Sequence, residues 1–289
     1  MDLRTLMPVR GANSVMTMLS HLAIYPAVYT LGVYLLAILT LGLEFPGQFT
    51  VWFLLALAHA CYLIDRVKLT DDRQDPADAL ALPDRTIFYV SHAPQLRALL
   101  CLEFLLASAI GYQIHPLLAL IPFGALIGVH MYAGRGATPG RPRLKDYLAL
   151  KAFLIASAHL ALVIAVLWGH GNLMSEGPLK VVAPSLVGIW LIISADATLC
   201  DIDDRESDSI YATRSLPVLL GSRRAWFVAM AILFVGVLFI SIARVPQAHL
   251  TAIAVLLFLS GVPTLQLKNR RDLIDARLLP IVLLGFLLR

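Results

Sequence analysis

Apolar residues run through this chain in long blocks, and the blocks have the length a helix needs to cross a bilayer. Stretches of about 20 apolar residues mark membrane-spanning helices. Reading them along the sequence gives nine: 16–43, 47–64, 96–114, 116–133, 146–169, 179–200, 223–243, 248–267 and 273–288, the last of them short. None alternates polar and apolar positions as a barrel strand does, so each must satisfy its backbone by helical hydrogen bonds. The expectation is an all-α polytopic membrane protein, nine transmembrane helices in a bundle around a central cavity, forming a single domain over residues 1–289. The apolar segment after Arg4 and Arg10 is too long for a signal-peptide core and lacks a small-residue cleavage site. It is expected to remain as the first span.

Charge orients the bundle. Lys and Arg gather on the cytoplasmic side of membrane proteins, and 23 of them are available here. With each basic residue assigned to the span ends it adjoins and the N terminus inside, 20 fall on inner segments, leaving Lys180, Arg244 and Arg289 outside. A missed or invented span would scramble that split. The predicted location is the cytoplasmic (inner) membrane, N terminus inside, with lipid as the surrounding partner. The net charge of +4 is then explained by inner loops and calls for no nucleic-acid partner. Cys61, Cys101 and Cys200 lie in or at the ends of spans without CxxC spacing, so neither disulfides nor zinc are expected.

Against this apolar background, twelve of the nineteen acidic residues fall in two short clusters, Asp65 to Asp84 and Asp196 to Asp208. Each begins where an apolar segment ends, at the end of spans 2 and 6, which places both at the cytoplasmic face. Asp201, Asp204 and Asp208 stand at i, i+3 and i+7, one face of a continuous helix. Like charges so spaced repel one another, and Mg²⁺, which takes carboxylate oxygens and leaves positions for phosphate, would turn repulsion into binding. In the first cluster Asp65 and Asp72 are seven apart and share a face if the helix runs through Lys68. Asp71 points elsewhere, and Asp75, Asp78 and Asp84 read as a solvated loop. Spans 2 and 6 end in similar text, Cys61-Tyr-Leu-Ile-Asp65-Arg66 and Cys200-Asp-Ile-Asp-Asp204-Arg205, which hints at a four-plus-four duplication. The Gly-rich stretch 134–145 lacks a Gly-Lys-Ser/Thr ending and follows no strand, so it is a flexible cationic loop and not a P-loop. His59, Glu103, His159 and Asp196 are costly in hydrocarbon and must face the bundle interior with partners.

Asp201-Ile-Asp-Asp204-Arg-Glu-Ser-Asp208, followed after six residues by Ser215-Leu-Pro-Val-Leu-Leu-Gly221, resembles the second aspartate-rich motif of the UbiA-type intramembrane prenyltransferases. That family's pattern is Asn-Asp-x-x-Asp-x-x-x-Asp followed by Thr-Leu-Pro-Val. All three aspartates match, with Cys200 in place of the asparagine and Ser215 of the threonine. The first motif departs from the pattern. Either Asp65 is its middle aspartate, with Cys61 at the asparagine and Tyr62 and Leu69 at the other acidic positions, or Asp65 and Asp72 are an outer pair with Lys68 between them.

The resemblance implies an enzyme whose carboxylates hold Mg²⁺ against the diphosphate of an isoprenoid donor. The implied metal ligands are Asp65, Asp72, Asp201, Asp204 and Asp208, with Asp65, Asp201, Asp204 and Asp208 as the catalytic set. Arg143, Lys145, Arg214 and Lys68 are the implied diphosphate-binding residues, with Lys151 a further basic candidate. The implied partners are the isoprenoid diphosphate and an aromatic or other lipophilic acceptor. Terpene cyclisation on the same metal site is a competing reading that the irregular first motif permits. A transporter is another, but coupling acids in transporters sit near the bilayer midplane in broken helices, whereas these sit at span ends. A CDP-alcohol phosphotransferase would need an Asp-Gly-x-x-Ala-Arg run that is absent.

Overall fold

The computed structural model describes residues 15–68, 83–133, 144–147, 150–172, 179–210, 213–242, 248–267 and 270–289. In order, the helices are α1 (Val15–His21), α2 (Ile24–Leu41), α3 (Gln48–Val67), α4 (Pro83–Ser91), α5 (Ala93–Ile114), α6 (Ile121–Ala133), α7 (Leu150–Gly169), α8 (Leu179–Asp201), α9 (Arg205–Ile210), α10 (Leu216–Leu220), α11 (Ser222–Ile242), α12 (Ala248–Gly261) and α13 (Arg270–Leu288). Short 3-10 turns cover Pro116–Leu120, Leu144–Asp146 and Val262–Leu265. Among the described residues every element is helical, as the apolar blocks predict. Six helices, α2, α3, α5, α7, α8 and α11, are long and apolar enough to cross a membrane. The other three expected spans are also helical, but Pro116–Tyr132 and His249–Leu265 are shorter, and α13 carries Arg270, Arg271, Asp272, Asp275 and Arg277 in its first two turns. Exposed Leu105, Phe123, Ile127, Phe234 and Leu259 give the outside of the bundle the apolar surface lipid requires. The chain is an integral membrane protein.

α2 is the axis of the bundle. Fifteen of its 18 residues are buried, as expected of a helix apolar all round, and it packs against α3, α7, α8 and α13. It stops cleanly because Gly42 adopts a left-handed conformation (φ 74°), so the Leu43 N–H can reach Ile38 O at 2.8 Å and the Gly42 N–H Leu39 O at 3.1 Å. The most extensive helix contacts are α8 with α11 and α3 with α5. These are equivalent pairs if the chain is two four-helix halves. α8 and α11 cross at two glycines: a Cβ on Gly188 would stand 2.8 Å from Gly236 O, and one on Gly236 2.9 Å from Gly188 O. Backbones approaching this closely give membrane helices the van der Waals contact that hydrophobic burial cannot supply in lipid.

The first predicted span, 16–43, is two helices. Ala23 is left-handed (φ 60°) between α1 and α2. Pro26 has no N–H to offer the Leu22 carbonyl four residues back, and the carbonyls at the break are capped by other helices instead. Arg66 Nη1 donates to Ser20 O at 2.7 Å, the Tyr89 hydroxyl donates to His21 O, and His59 Nε2 donates to Leu22 O at 2.6 Å. A carbonyl only accepts, so the His59 proton is fixed on Nε2, and Nδ1 faces Glu103 Oε1 at 2.7 Å. His59 and Glu103 thus form a hydrogen-bonded pair between α3 and α5. This gives both intramembrane residues the partner their cost in hydrocarbon requires.

Candidate functional site

The ends of α3 and α8 and the first turn of α13 meet at one end of the bundle. Tyr62, one turn before Asp65, lies within electrostatic reach of Cys200 at the end of α8 and of Arg271 on α13. The Tyr132 hydroxyl at the end of α6 is within electrostatic reach of Lys151, Asp201, Asp65 and Asp208. Residues of both acidic clusters are therefore at the same end of the molecule, near Tyr132.

α8 ends at Asp201. Residues 202–204 form a turn, with Ile202 N–H to Leu199 O at 3.3 Å and Asp203 N–H to Cys200 O at 3.1 Å, before α9 begins at Arg205. The continuous helix face expected for Asp201, Asp204 and Asp208 is thus interrupted, yet all three carboxylates reach one point. Lys151 Nζ stands 2.9 Å from Asp201 Oδ1, 3.2 Å from Asp204 Oδ2, and 3.2 and 3.0 Å from Asp208 Oδ1 and Oδ2. Lys151 is the second residue of α7 and is 7% exposed. A lysine is seldom so buried unless it is paired, and three carboxylates this close need a cation among them.

The turn residues are fixed by α13. Arg271 Nη2 meets Asp204 Oδ2 at 2.5 Å, and Arg270 Nε meets Asp203 Oδ1 at 2.7 Å. Burial alone would push the Asp204 carboxyl up, but Arg271 and Lys151 hold it well below the ordinary carboxylate range. A short loop closes the other flank. Thr213 Oγ1 donates to Asp146 Oδ1 at 2.6 Å, Arg214 N–H donates to Asp146 O at 3.3 Å, and Thr213 N–H reaches Asp208 O at 2.9 Å. This docking sets Lys145 Nζ 5.8 Å from the centre of the Tyr132 ring, with its charge acting on Asp65.

The first cluster is simpler. Asp65, in the last turn of α3, pairs with Lys68 Nζ at 3.0 Å. Lys68 caps the helix with φ 59° and ψ 156°, a backbone region that glycine tolerates and side chains resist. Arg97 Nε donates to its carbonyl at 3.1 Å. Asp72 and Arg143 lie outside the described residues. Arg214 is placed beside the site by its backbone, and its side chain is exposed. Sequence reasoning missed Arg270, Arg271, Tyr132 and Asp146, and ranked Lys151 among phosphate ligands when it is the common partner of the carboxylates. The signal for the two arginines was a basic pair opening the last apolar block.

The donor set suits a hard divalent cation in kind, because it consists of carboxylate oxygens gathered around a single cationic point, with a further carboxylate, Asp65, within electrostatic reach of the same Tyr132. Among the described residues no three acidic, histidine or cysteine side chains close around a metal-sized space by themselves; the ammonium lies between them. Solved structures share this architecture. Two structures of a UbiA homologue from Archaeoglobus fulgidus, one of them bound to DMAPP and Mg²⁺, match at TM-scores of 0.57 and identities of 14% and 15%, covering 95% of this chain and 97% of theirs. The chain has the UbiA fold. A structure of a digeranylgeranylglyceryl phosphate synthase matches at TM-score 0.54 and 14% identity over 93% of this chain and 95% of its own. No family profile and no curated protein sequence matches.

Below the carboxylates, the UbiA-fold bundle carries a buried polar network. Asp196, 2% exposed and just over one turn before Asp201, pairs with Arg277 and accepts from the Tyr29 hydroxyl at 3.0 Å. Arg277 Nη1 also donates to Ser260 Oγ at 3.0 Å. His159 Nδ1 donates to Ile155 O at 2.8 Å, which leaves Nε2 to accept from the Tyr62 hydroxyl at 3.4 Å; Thr30 Oγ1, 3.2 Å from the same nitrogen, donates to Pro26 O at 3.1 Å. Polar groups on α2, α3, α7, α8 and α13 thus find partners in one another within the apolar interior, Arg277 Nε excepted.

Proposed function

We propose that the protein transfers a prenyl group from an isoprenoid diphosphate to an aromatic or other lipophilic acceptor, with Mg²⁺, at the cytoplasmic face of the membrane, in a nine-span bundle with its N terminus inside. The observation that carries this reading is the convergence of Asp201, Asp204 and Asp208 on one cationic point, at the same end of a UbiA fold as Asp65. The DMAPP and Mg²⁺ bound by the Archaeoglobus homologue support it.

In this mechanism the second-motif carboxylates would hold Mg²⁺ together with Asp65 at the end of α3, with Asp72 a further ligand by resemblance; α3 ends at Val67, so a continuous helix face does not join Asp72 to Asp65. When bound, the ion supplies positive charge to the leaving diphosphate oxygens. Lys145 and Arg214, with Lys68 and Arg143, neutralise the remaining phosphate charge from the loops above. The allylic carbon–oxygen bond breaks with its electron pair going to the diphosphate, and a nucleophilic atom of the acceptor then bonds to the allylic carbon and releases a proton. The surrounding apolar helices keep water from that carbon. Fixed cations aimed at the developing negative charge need no reorganisation as the bond breaks, which is why such sites are effective.

The test is to incubate membranes carrying the protein with labelled isoprenoid diphosphates, with and without phenolic acceptors, in Mg²⁺ or EDTA. Mg²⁺-dependent diphosphate release with a prenylated acceptor is the expected result. A labelled hydrocarbon or alcohol formed equally well without acceptor would replace transfer by cyclisation. Uptake into sealed vesicles without diphosphate release would replace both by transport.

A further inference from the structure

Asp275 stands in the second turn of α13, half-buried, and among the described residues it makes no hydrogen bond and no ion pair. The charged residues flanking it on that helix are engaged elsewhere. Arg271 Nη2 meets Asp204, Arg277 meets Asp196, and Asp272 Oδ1 accepts from Ser20 Oγ of α1 at 2.9 Å. Asp275 follows Arg271 by four residues and Asp272 by three, so the helix turns it toward the space between the ends of α8 and α1, one turn deeper than the carboxylate site. Tyr62 and Arg66 of α3, Asp196 and Cys200 of α8 and Tyr29 of α2 lie within its electrostatic reach there, as do Arg271 and Asp272 of its own helix. Four helices thus surround one carboxylate that none of them binds. Such a group is costly in an apolar bundle and marks a functional site by default.

We propose that Asp275 is the base of the reaction, taking the proton that the acceptor gives up as it is prenylated; this rests on the proposed transfer from an isoprenoid diphosphate. A diphosphate held at Asp201 and Asp204 directs its allylic carbon into the bundle, toward the level of Asp275. The acceptor's nucleophilic atom bonds to that carbon. Its bond to hydrogen breaks with the electron pair staying on the acceptor, and the proton passes to an Asp275 oxygen. The carboxyl returns it to water once the product has left. A carboxylate without partners suits this role, because no hydrogen bond to its ionised form is given up when it takes a proton. Asp204 lacks that freedom, since Arg271 and Lys151 hold it ionised.

The experiment compares the full-length wild type with Asp275→Asn and Asp275→Glu in membranes, with Mg²⁺, labelled isoprenoid diphosphates and phenolic acceptors. Asp275→Asn is expected to lower kcat by about 10²- to 10⁴-fold, the usual contribution of a positioned base. The KM for the diphosphate should change by less than about threefold, because the lost interaction belongs to the transition state. The fall in rate that the wild type shows toward low pH, as the carboxyl becomes protonated, should vanish in Asp275→Asn, and Asp275→Glu should restore part of the rate. In detergent, Asp275→Asn should unfold at no lower a temperature than the wild type, since it breaks no hydrogen bond or ion pair. The inference is overturned if Asp275→Asn keeps its rate or the wild-type pH profile, or if it loses diphosphate binding along with rate. Loss of the fold in that variant would overturn it too, by giving the carboxylate a structural role. A wild type that releases no diphosphate and prenylates no acceptor would sink the transfer reaction itself. An active wild type with an equally active Asp275→Asn would sink only the role of Asp275.

Discussion

The ends of α3 and α8 occupy equivalent places if the bundle is two four-helix halves, and they have diverged in opposite directions. Each carries a buried pair below and acids above. On α3 the pair is His59 and Glu103, joined by one hydrogen bond, and above it a half-buried Asp65 meets Lys68, three residues on in sequence. On α8 the pair is Asp196 and Arg277, a full ion pair, and above it three carboxylates meet Lys151 and Arg271 from two other helices. Above α3 the charges are met locally, by Lys68 three residues on from Asp65, while the His59–Glu103 pair below joins two helices. The α8 side has spread them over three helices, so its charges can be balanced only in the assembled bundle. A site meant to hold a multiply charged ligand belongs on the second kind of end.

The strongest way to break this contrast is to remove one carboxylate from each end. Asp204→Asn is expected to lower kcat/KM for Mg²⁺-dependent diphosphate release by about 10²- to 10³-fold, the scale on which a preorganised electrostatic group acts. Asp65→Asn should cost about tenfold, because its charge is already partly spent on Lys68. Equal losses would mean that the two ends contribute alike and that the degenerate first motif has kept its full role.

The pairs below the ends should separate next, this time in stability. Arg277→Met leaves Asp196 charged in the interior and is expected to cost about 3–5 kcal/mol, measured by denaturant unfolding in detergent. Adding Asp196→Leu should recover a large part of that loss, because the isolated charge is then gone. On the α3 side, His59→Leu strands the Leu22 carbonyl at the helix break and one Glu103 oxygen, a cost of about 2 kcal/mol. Glu103→Gln, which keeps a hydrogen-bonding group beside the imidazole, should cost less than either. If His59→Leu proved as damaging as Arg277→Met, the two buried pairs would carry equal weight and the contrast between the ends would fail at this level.

How much of this was legible beforehand follows the same division. Apolar block lengths located five of the six helices long enough to cross a bilayer to within a few residues, because a bilayer enforces length directly on sequence. The break at Ala23 was not visible, since Pro26 in a long apolar run reads as tolerated until the partners that cap Ser20, His21 and Leu22 are known, and these lie on α3 and α4. Asp201, Asp204 and Asp208 were legible as a set because their spacing is local. Their assembly was not: the spacing suggested one helix face, but a turn intervenes, and what unites them is Lys151, fifty residues earlier. Arg271 and Asp196's partner Arg277 were missed for the same reason. In apolar helices, one lysine or arginine near a span end looks like any other until its neighbours are known.

The smallest effect tests the α3 end at its backbone. Lys68 holds φ 59° and ψ 156°, while its N–H reaches Ile64 O at 3.1 Å to cap the helix. Such a conformation costs a residue with a side chain about 1–3 kcal/mol, and the ion pair it gains with half-exposed Asp65 is worth less than about 1 kcal/mol. Lys68→Gly should therefore raise stability by about 1 kcal/mol while weakening binding of a prenyl diphosphate analogue. Lys151→Gly at the other end removes a helical residue and the common partner of three buried carboxylates, so it should lower stability. If Lys68→Gly also destabilised the protein, the Asp65 contact would be worth more than its exposure allows, and the two ends would resemble each other in how tightly they hold charge. A gain in stability bought with lost ligand affinity would instead identify Lys68 as strained for the sake of the site.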